Sequence, residues 1–531
     1  MSEALNLTIE TLAKSRNQAA TDALLAAFDS GDVDSFDAVI GGLAKRRSKA
    51  GHKALLEIWH TLSSKQQDAV EQGRGRMGGA LRDALLGENQ LFQNACSVAE
   101  RYSEFDLIPT LITIGEHPTN PRAIESVKVA SRLIAQLNNL LHSPPSETEH
   151  RDPEAVRRYV LESLERSLGR FRKHQRTAFV EAFVTLSGAT SNTLHSILDD
   201  PRHGCFQTVV NTLSSSNSPG VIHLIFEFLK SDDAHVVVRN VVSKRSDMAF
   251  IVALASFAST TTNEQVLKNL HRVHNYEWLE PLDTLTQRFD QSQLLSVTKL
   301  ASKTGLKEPV ALAFIEAILA TENLEAKVIA CEMLAAFKSQ TANQMVVQAL
   351  DAEQPEVQAA AIGQLADRSI PDMLDKLMSL IEHPSEIVQK AARAALTEFS
   401  FESFLSRYDM LDESARRNTG GLVRRVDNEV LSKLREEMDG PSRKQRSRAI
   451  EMADSLGLTA QISDMLVERL DDEDHLIRAA AAEALQYCTG TDVRDALMTA
   501  LKDRSTTVQA AARASLVYQG IPVAPSSGGA S

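Results

Sequence analysis

The chain has few of the residues that mark specialised chemistry. It contains four cysteines, two tryptophans and six tyrosines in 531 residues, and aromatics make up only 5%. Cys96, Cys205, Cys331 and Cys488 stand more than a hundred residues apart. That excludes the short spacing of a zinc ligand set and the dense framework of a small secreted domain. Reduced, buried thiols in a cytoplasmic setting are expected instead. Long apolar runs are also missing. Even the run through Ala249–Ala255 falls far short of the roughly 20 residues that cross a bilayer, so no membrane span is expected. Positive charge is in deficit, with a formal net charge of −13. This argues against broad binding to nucleic acid or to an anionic membrane, although a local patch escapes the average. The start, Met1-Ser2-Glu3-Ala4-Leu5, has neither the basic residues nor the apolar core of a secretory leader, and export is not expected. No stretch sustains the alternation of a strand. The remainder, 43% hydrophobic and 24% charged, has the balance of a folded chain.

What the chain does have is a repeat. With Val357 as position zero, its equivalents are Ala326, Val388, Ile477 and Val508, and 326→357→388 and 477→508 are steps of 31 residues. Four positions on stand Ala330, Ala361, Ala392, Ala481 and Ala512; eight on stand Leu334, Leu365, Leu396, Leu485 and Leu516. Seven before come Leu319, Leu350, Ile381, Leu470 and Leu501. Positions 0, +4 and +8 share one side of a 3.6-residue helix. The alanine lets a neighbouring helix approach, and the leucine fills the layer beside it. Position −3 is Asn323, Gln354, Ser385, Asp474 or Ser505, mostly residues suited to cap a helix start, and Pro355 suits a first turn. A period of this length implies helix pairs that bury a core only by stacking. A less regular unit is centred on Gln445, with Met438, Ser442 and Ala449 in register, and Asp412–Val423 reads as a worn unit.

These residues, above all "LDDEDHLIRAAAAEAL" (470–485) and "LIEHPSEIVQKAARAAL" (380–396), resemble the HEAT-repeat family in its short bacterial form. The resemblance is specific over about residues 306–520. It implies an all-α fold, an α-solenoid of stacked antiparallel helix pairs, and that fold serves many unrelated tasks. Four regions are expected: diverged helical hairpins over 1–141, diverged repeats over 154–300, the regular repeats over 301–520, and a disordered tail over 521–531. His142–Pro153, rich in proline and polar residues, marks the clearest internal break. Residues 155–186 read as one of the longest helical stretches.

Candidate sites are few. Gly73, Gly75 and Gly78 spell a dinucleotide fingerprint, but the preceding "SSKQQDAVEQ" reads as helix where that loop needs a strand. His271 and His274, followed by Tyr276 and Trp278, form the densest imidazole and aromatic cluster. It suits packing at a repeat junction or an aromatic binding pocket, and no third ligand accompanies the histidines as a metal site requires. The iron-holding His-Glu pairs of the deoxyhypusine hydroxylases, which share this repeat, are missing; Glu116-His117, Glu149-His150 and Glu382-His383 run the other way. Lys45, Arg46, Arg47, Lys49 and Lys53 make a basic run, and Arg157, Arg158, Arg166, Arg170, Arg172 and Lys173 a second, interrupted by Glu162 and Glu165. A solvated face or an anionic partner fits both. At position +1 stand Lys327, Gln358, Gln389, Arg446, Arg478 and Gln509. All are long donors, and none is acidic in an acidic chain. Stacking aligns them as a ladder, either pairing with Asp351, Glu382, Asp439 and Asp471 at −6 and Asp503 at −5, or forming a ridge for a peptide.

The reading that follows is a non-enzymatic protein-interaction scaffold with a protein or peptide partner and no cofactor. The alternatives are a nucleic-acid-binding or repair protein, as in the HEAT-like DNA glycosylases, and a HEAT-like lyase of the phycobilin-attaching kind. Elemental analysis of the purified chain is expected to find no stoichiometric metal. One zinc or two irons per chain would return attention to His271 and His274.

Overall fold

A computed structural model describes residues 3–31, 35–143, 152–366, 368 and 370–523. Among these residues every regular element is a helix and none is a strand. The chain divides into two compact units between Phe314 and Ile315. Each is an α-solenoid of helix pairs stacked on their neighbours.

In the carboxy-terminal unit the second helices of successive pairs stack directly. Leu324–Met333, Pro355–Ile362 and Glu386–Ala395 form one run, and Glu413–Val426, Arg443–Ser455, His475–Ala484 and Thr506–Tyr518 form another. The periodic residues explain why. Every residue at 0, +4 and +8 is buried, as are Leu350, Ile381 and Leu470 at −7, while Leu319 and Leu501 are half-buried. Each position −3 residue stands where its helix begins, but the capping bond is made only by some. Asn323 accepts from the Ala326 N–H and Asp474 from that of Leu476, whereas Gln354, Ser385 and Ser505 make no side-chain cap. Ser442 and Gln445 form a reciprocal capping box. The worn unit is a continuous helix, Glu413–Val426. Its Gly420 is required, because a Cβ there would lie 2.3 Å from the Ser455 carbonyl oxygen of the neighbouring helix.

The amino-terminal unit contains the expected hairpins Ala19–Asp29 with Phe36–Lys45, and Ile108–Gly115 with Ala123–Leu141. Residues 155–186 are not one helical stretch. The chain breaks into Pro153–Leu168, Phe171–His174 and Thr177–Leu186, with Gln175 left-handed at φ 51° where the short helix ends. Most of the expected break at 142–153, residues 144–151, and most of the expected tail, residues 524–531, lie outside the described residues. All four cysteines are free and buried. Burial pushes the Cys96 and Cys331 thiols up to about 12.

A second regularity runs through both units. A helix ends with carbonyl groups that lack intrahelical donors, and here a side chain 32 to 40 residues further along supplies one. Asn94 Nδ2 donates to the Leu56 oxygen at 2.8 Å, Gln136 Nε2 to that of Glu100 at 3.1 Å, and Arg245 Nη1 to that of Leu213 at 3.1 Å. Asn269 bonds the Leu229 oxygen at 3.0 Å, Gln364 that of Cys331 at 2.7 Å, and Gln519 that of Leu485 at 2.8 Å.

Leu485 is fully buried, so Leu485→Ala is expected to cost about 2–5 kcal/mol. Ala481→Leu, which forces bulk into a closed contact, should cost about 1–3 kcal/mol. Thermal melts of both variants check this, and wild-type melting in both would refute the repeat register.

Candidate interaction surface

The +1 side chains turn inward along their own repeat. Gln358 Nε2 donates to the Ala352 oxygen at 2.9 Å, Gln389 to that of His383 at 2.8 Å and Gln509 to that of Asp503 at 2.7 Å. Arg446 Nη1 reaches the Gly440 oxygen at 3.1 Å and Arg478 Nη1 that of Asp472 at 2.8 Å. These are five copies of one bond, from +1 to the carbonyl at −5, closing the turn that enters the second helix. The arginines add a carboxylate. Arg446 Nε lies 2.9 Å from Asp472 Oδ2, and Arg478 grips both Asp503 oxygens at 2.9 and 3.0 Å.

Three of the four acids expected at −6 as partners are engaged elsewhere, and none pairs with a +1 side chain among the described residues. Asp439 pairs with Arg469, Glu382 with Arg425 and Asp351 with Lys376. The arginine partner is the −5 aspartate of the following repeat. A +1 side chain leaves its helix toward the next layer, where the entering turn presents position −5. That aspartate also braces its own turn: Asp472 and Asp503 accept from the N–H of Asp474 and Ser505, as the His383 ring does from Ser385.

Lys327 is the exception. Its ammonium has no bond among the described residues, and it lines a groove of about 380 Å³. The floor includes Leu319, Met345 and Val357, and the rim carries Gln344, Gln348 and Gln354. Gln344 and Gln348 are exposed on the helix Gln340–Ala349. Both were missed in the sequence, although Gln340, Gln344 and Gln348 at i, i+4 and i+8 form an uncharged polar stripe that pattern reading detects.

The aromatic cluster separates. Tyr276 and Trp278 are 1% exposed, with ring centroids 5.7 Å apart, and Phe289 packs 6.2 Å from Trp278. His271 and His274 are exposed, and His274 Nδ1 is 2.8 Å from the Gly305 oxygen. The rings thus belong to the core and the imidazoles to the surface. Among the described residues no group of three or more His, Cys, Asp or Glu side chains is placed to hold a metal, and no helix is long and apolar enough to cross a membrane. Gly73 ends the 3-10 turn Glu71–Gly73 that follows the helix Ser64–Val70, so no strand precedes the fingerprint. The first basic run scatters: Lys49 pairs with Asp83, Lys53 with Glu57, and Arg46 is buried. In the second, Arg170 grips Glu116, Arg157 pairs with Glu154, and Arg166 bonds Ser163.

The hydrogen bonds from Arg478 hold the Asp503 carboxyl below its ordinary value. A carboxyl so depressed stabilises the fold above the ordinary carboxylate range, and that contribution is lost as the pH falls through the folded value. Arg478→Gln is expected to lower stability at pH 7 by about 1–3 kcal/mol. The gap from wild type should narrow below about pH 4. Urea melts at pH 7 and pH 3 measure it, and a gap indifferent to pH would remove Asp503 as the partner.

Comparison with known proteins places the repeat. A family model of HEAT repeats matches residues 311–397 and 431–517. No curated protein matches the chain by sequence. Similar solved structures include a Kap121p mutant and Kap121p bound to RanGTP, each 12% identical. Their TM-scores are 0.23 and 0.24, and each alignment covers 98% of this chain and 57% of the other. UNC-45 from Drosophila melanogaster is 10% identical over 97% of this chain and 74% of its own, with a TM-score of 0.22. The chain thus spans little more than half of the Kap121p structures, and superpositions this loose carry no functional argument. The family match, falling on the stretches where the 31-residue register and its buried 0, +4 and +8 positions stand, identifies residues 311–397 and 431–517 as HEAT repeats.

Proposed function

We propose that the chain is a non-enzymatic scaffold that holds an extended segment of a partner protein. The observation that carries this reading is the groove beside Lys327. An extended peptide presents N–H and C=O groups in alternation, and a primary amide both donates and accepts. Gln344, Gln348 and Gln354 supply such amides above the apolar floor of Leu319, Met345 and Val357, which gives side chains of the segment a place to bury. Lys327 and Glu316 add one charge of each sign, so a mixed-charge segment is favoured over a strongly acidic or basic one. In this reading the other +1 residues act indirectly, bracing the turns, and Lys327 is the member that meets the partner.

Panning a random peptide display library against the purified chain tests the proposal. Enriched peptides are expected to bind the wild type and to lose at least tenfold in affinity for Gln344→Ala, Gln348→Ala. Both side chains are exposed, so the double variant should keep its stability to within about 0.5 kcal/mol. No enrichment, or equal binding to the folded variant, would sink the groove as the partner site.

A further inference from the structure

We propose that the amino-terminal unit binds a small molecule carrying several phosphate groups, in a basin distinct from the peptide groove. The basin has a volume of about 850 Å³, in the size range of small-molecule sites. It lies among the helices Glu3–Lys14 and Phe36–Lys45 and the segment containing Gln72 and Arg76. Six cations and two carboxylates line it, a local positive excess in a chain of net charge −13.

The charges are unevenly engaged. Arg46 is 6% exposed, and all its bonds go to neutral acceptors: Thr21 Oγ1 at 2.6 Å, the Leu12 oxygen at 2.7 Å, and the oxygens of Ser15 and Asn17. A buried guanidinium without a carboxylate leaves its charge uncompensated, and here it lies at the wall of an open basin. Arg16, Lys45 and Arg47 are exposed, and their side chains make no bond among the described residues. Arg76 donates to the Lys45 oxygen at 2.5 Å. The two carboxylates are partly spoken for, Glu10 by Lys14 at 3.6 Å and Asp37 by Gln66 at 2.9 Å and Lys65 at 3.6 Å.

Shape and chemistry select the ligand. Arginine predominates, and a guanidinium fork matches phosphate oxygens two at a time. Gly41 and Gly42 line the basin without side chains. Lys49 and Lys53, which would extend the positive surface, are turned to Asp83 and Glu57. The positive region is therefore a basin and not a track, which favours a compact polyanion over a nucleic acid or a long acidic peptide.

Calorimetric titration of the full chain with inorganic tripolyphosphate tests this. One saturable site is expected, weakening as salt rises. Arg16→Gln, Arg47→Gln should lower the affinity at least tenfold while leaving the melting temperature unchanged, since neither side chain has a partner among the described residues. Gly41→Met should abolish binding with every charge intact; a Cβ there meets only Gln72 Oε1, at 3.7 Å. Absence of saturable binding overturns the proposal. So does retained binding by Gly41→Met, which would mean diffuse surface charge, or equal or tighter binding of hexaglutamate or a single-stranded oligonucleotide.

Discussion

A helix that ends inside a stack leaves carbonyl groups without donors, and burying them unpaired is costly. This constraint governs both units. The cure lies one layer further on, in an amide or guanidinium carried by a later element. Asn269 is fully buried, and Asn94 and Arg245 are 2% exposed. Such polar side chains have no place in an apolar layer unless every donor is used. Asn269 satisfies Leu229 and Ser231 and also accepts from the Ala234 N–H. A donor placed this way works only when its helix sits one step along the stack. The bond therefore sets register as well as energy, where apolar contact alone tolerates sliding.

The same constraint explains what was legible in the sequence. Positions 0, +4 and +8 must fit the same close contact in every repeat, so one small residue and one leucine recur and the period shows. The carbonyl donors need only reach, and Asn, Gln and Arg all reach. The amino-terminal unit therefore keeps the bond while losing the letters. Distances of 32 and 40 residues for Arg245 and Asn269 leave no fixed period to detect. The break in 155–186 was obscure for a related reason. Gln175, the left-handed residue, is not a glycine, and Gly169 itself keeps a right-handed φ of −60°.

Sites were less legible because adjacency in sequence is weak evidence for adjacency on a surface. Lys45, Arg46, Arg47, Lys49 and Lys53 look like one patch, yet the helix that starts at Lys49 carries its lysines to Asp83 and Glu57. Arg16 and Arg76 take their place, from segments 30 residues away on either side. Tyr276 and Trp278 likewise drew notice as rare residues beside histidines. Large rings bury much area at an irregular junction, and the surface imidazoles are neighbours in the chain only.

The +1 ladder shows how one position carries two chemistries without a change of role. All five bonded members close the turn at −5, which needs one donor and no charge. Arginine appears where the next repeat brings an aspartate to −5: Arg446 meets Asp472, and Arg478 meets Asp503. Glutamine appears where it does not. Gln358 is followed by His383 at that position, and Gln509 lies in the last helix pair described. A guanidinium buried without its carboxylate would cost several kcal/mol, whereas a neutral amide makes the same carbonyl bond without an uncompensated charge. The variation from Gln to Arg therefore follows what the neighbouring turn presents at −5. Where both demands lapse the rung is free of the turn, and Lys327, with neither the −5 bond nor a carboxylate among the described residues, is the rung that lines a groove.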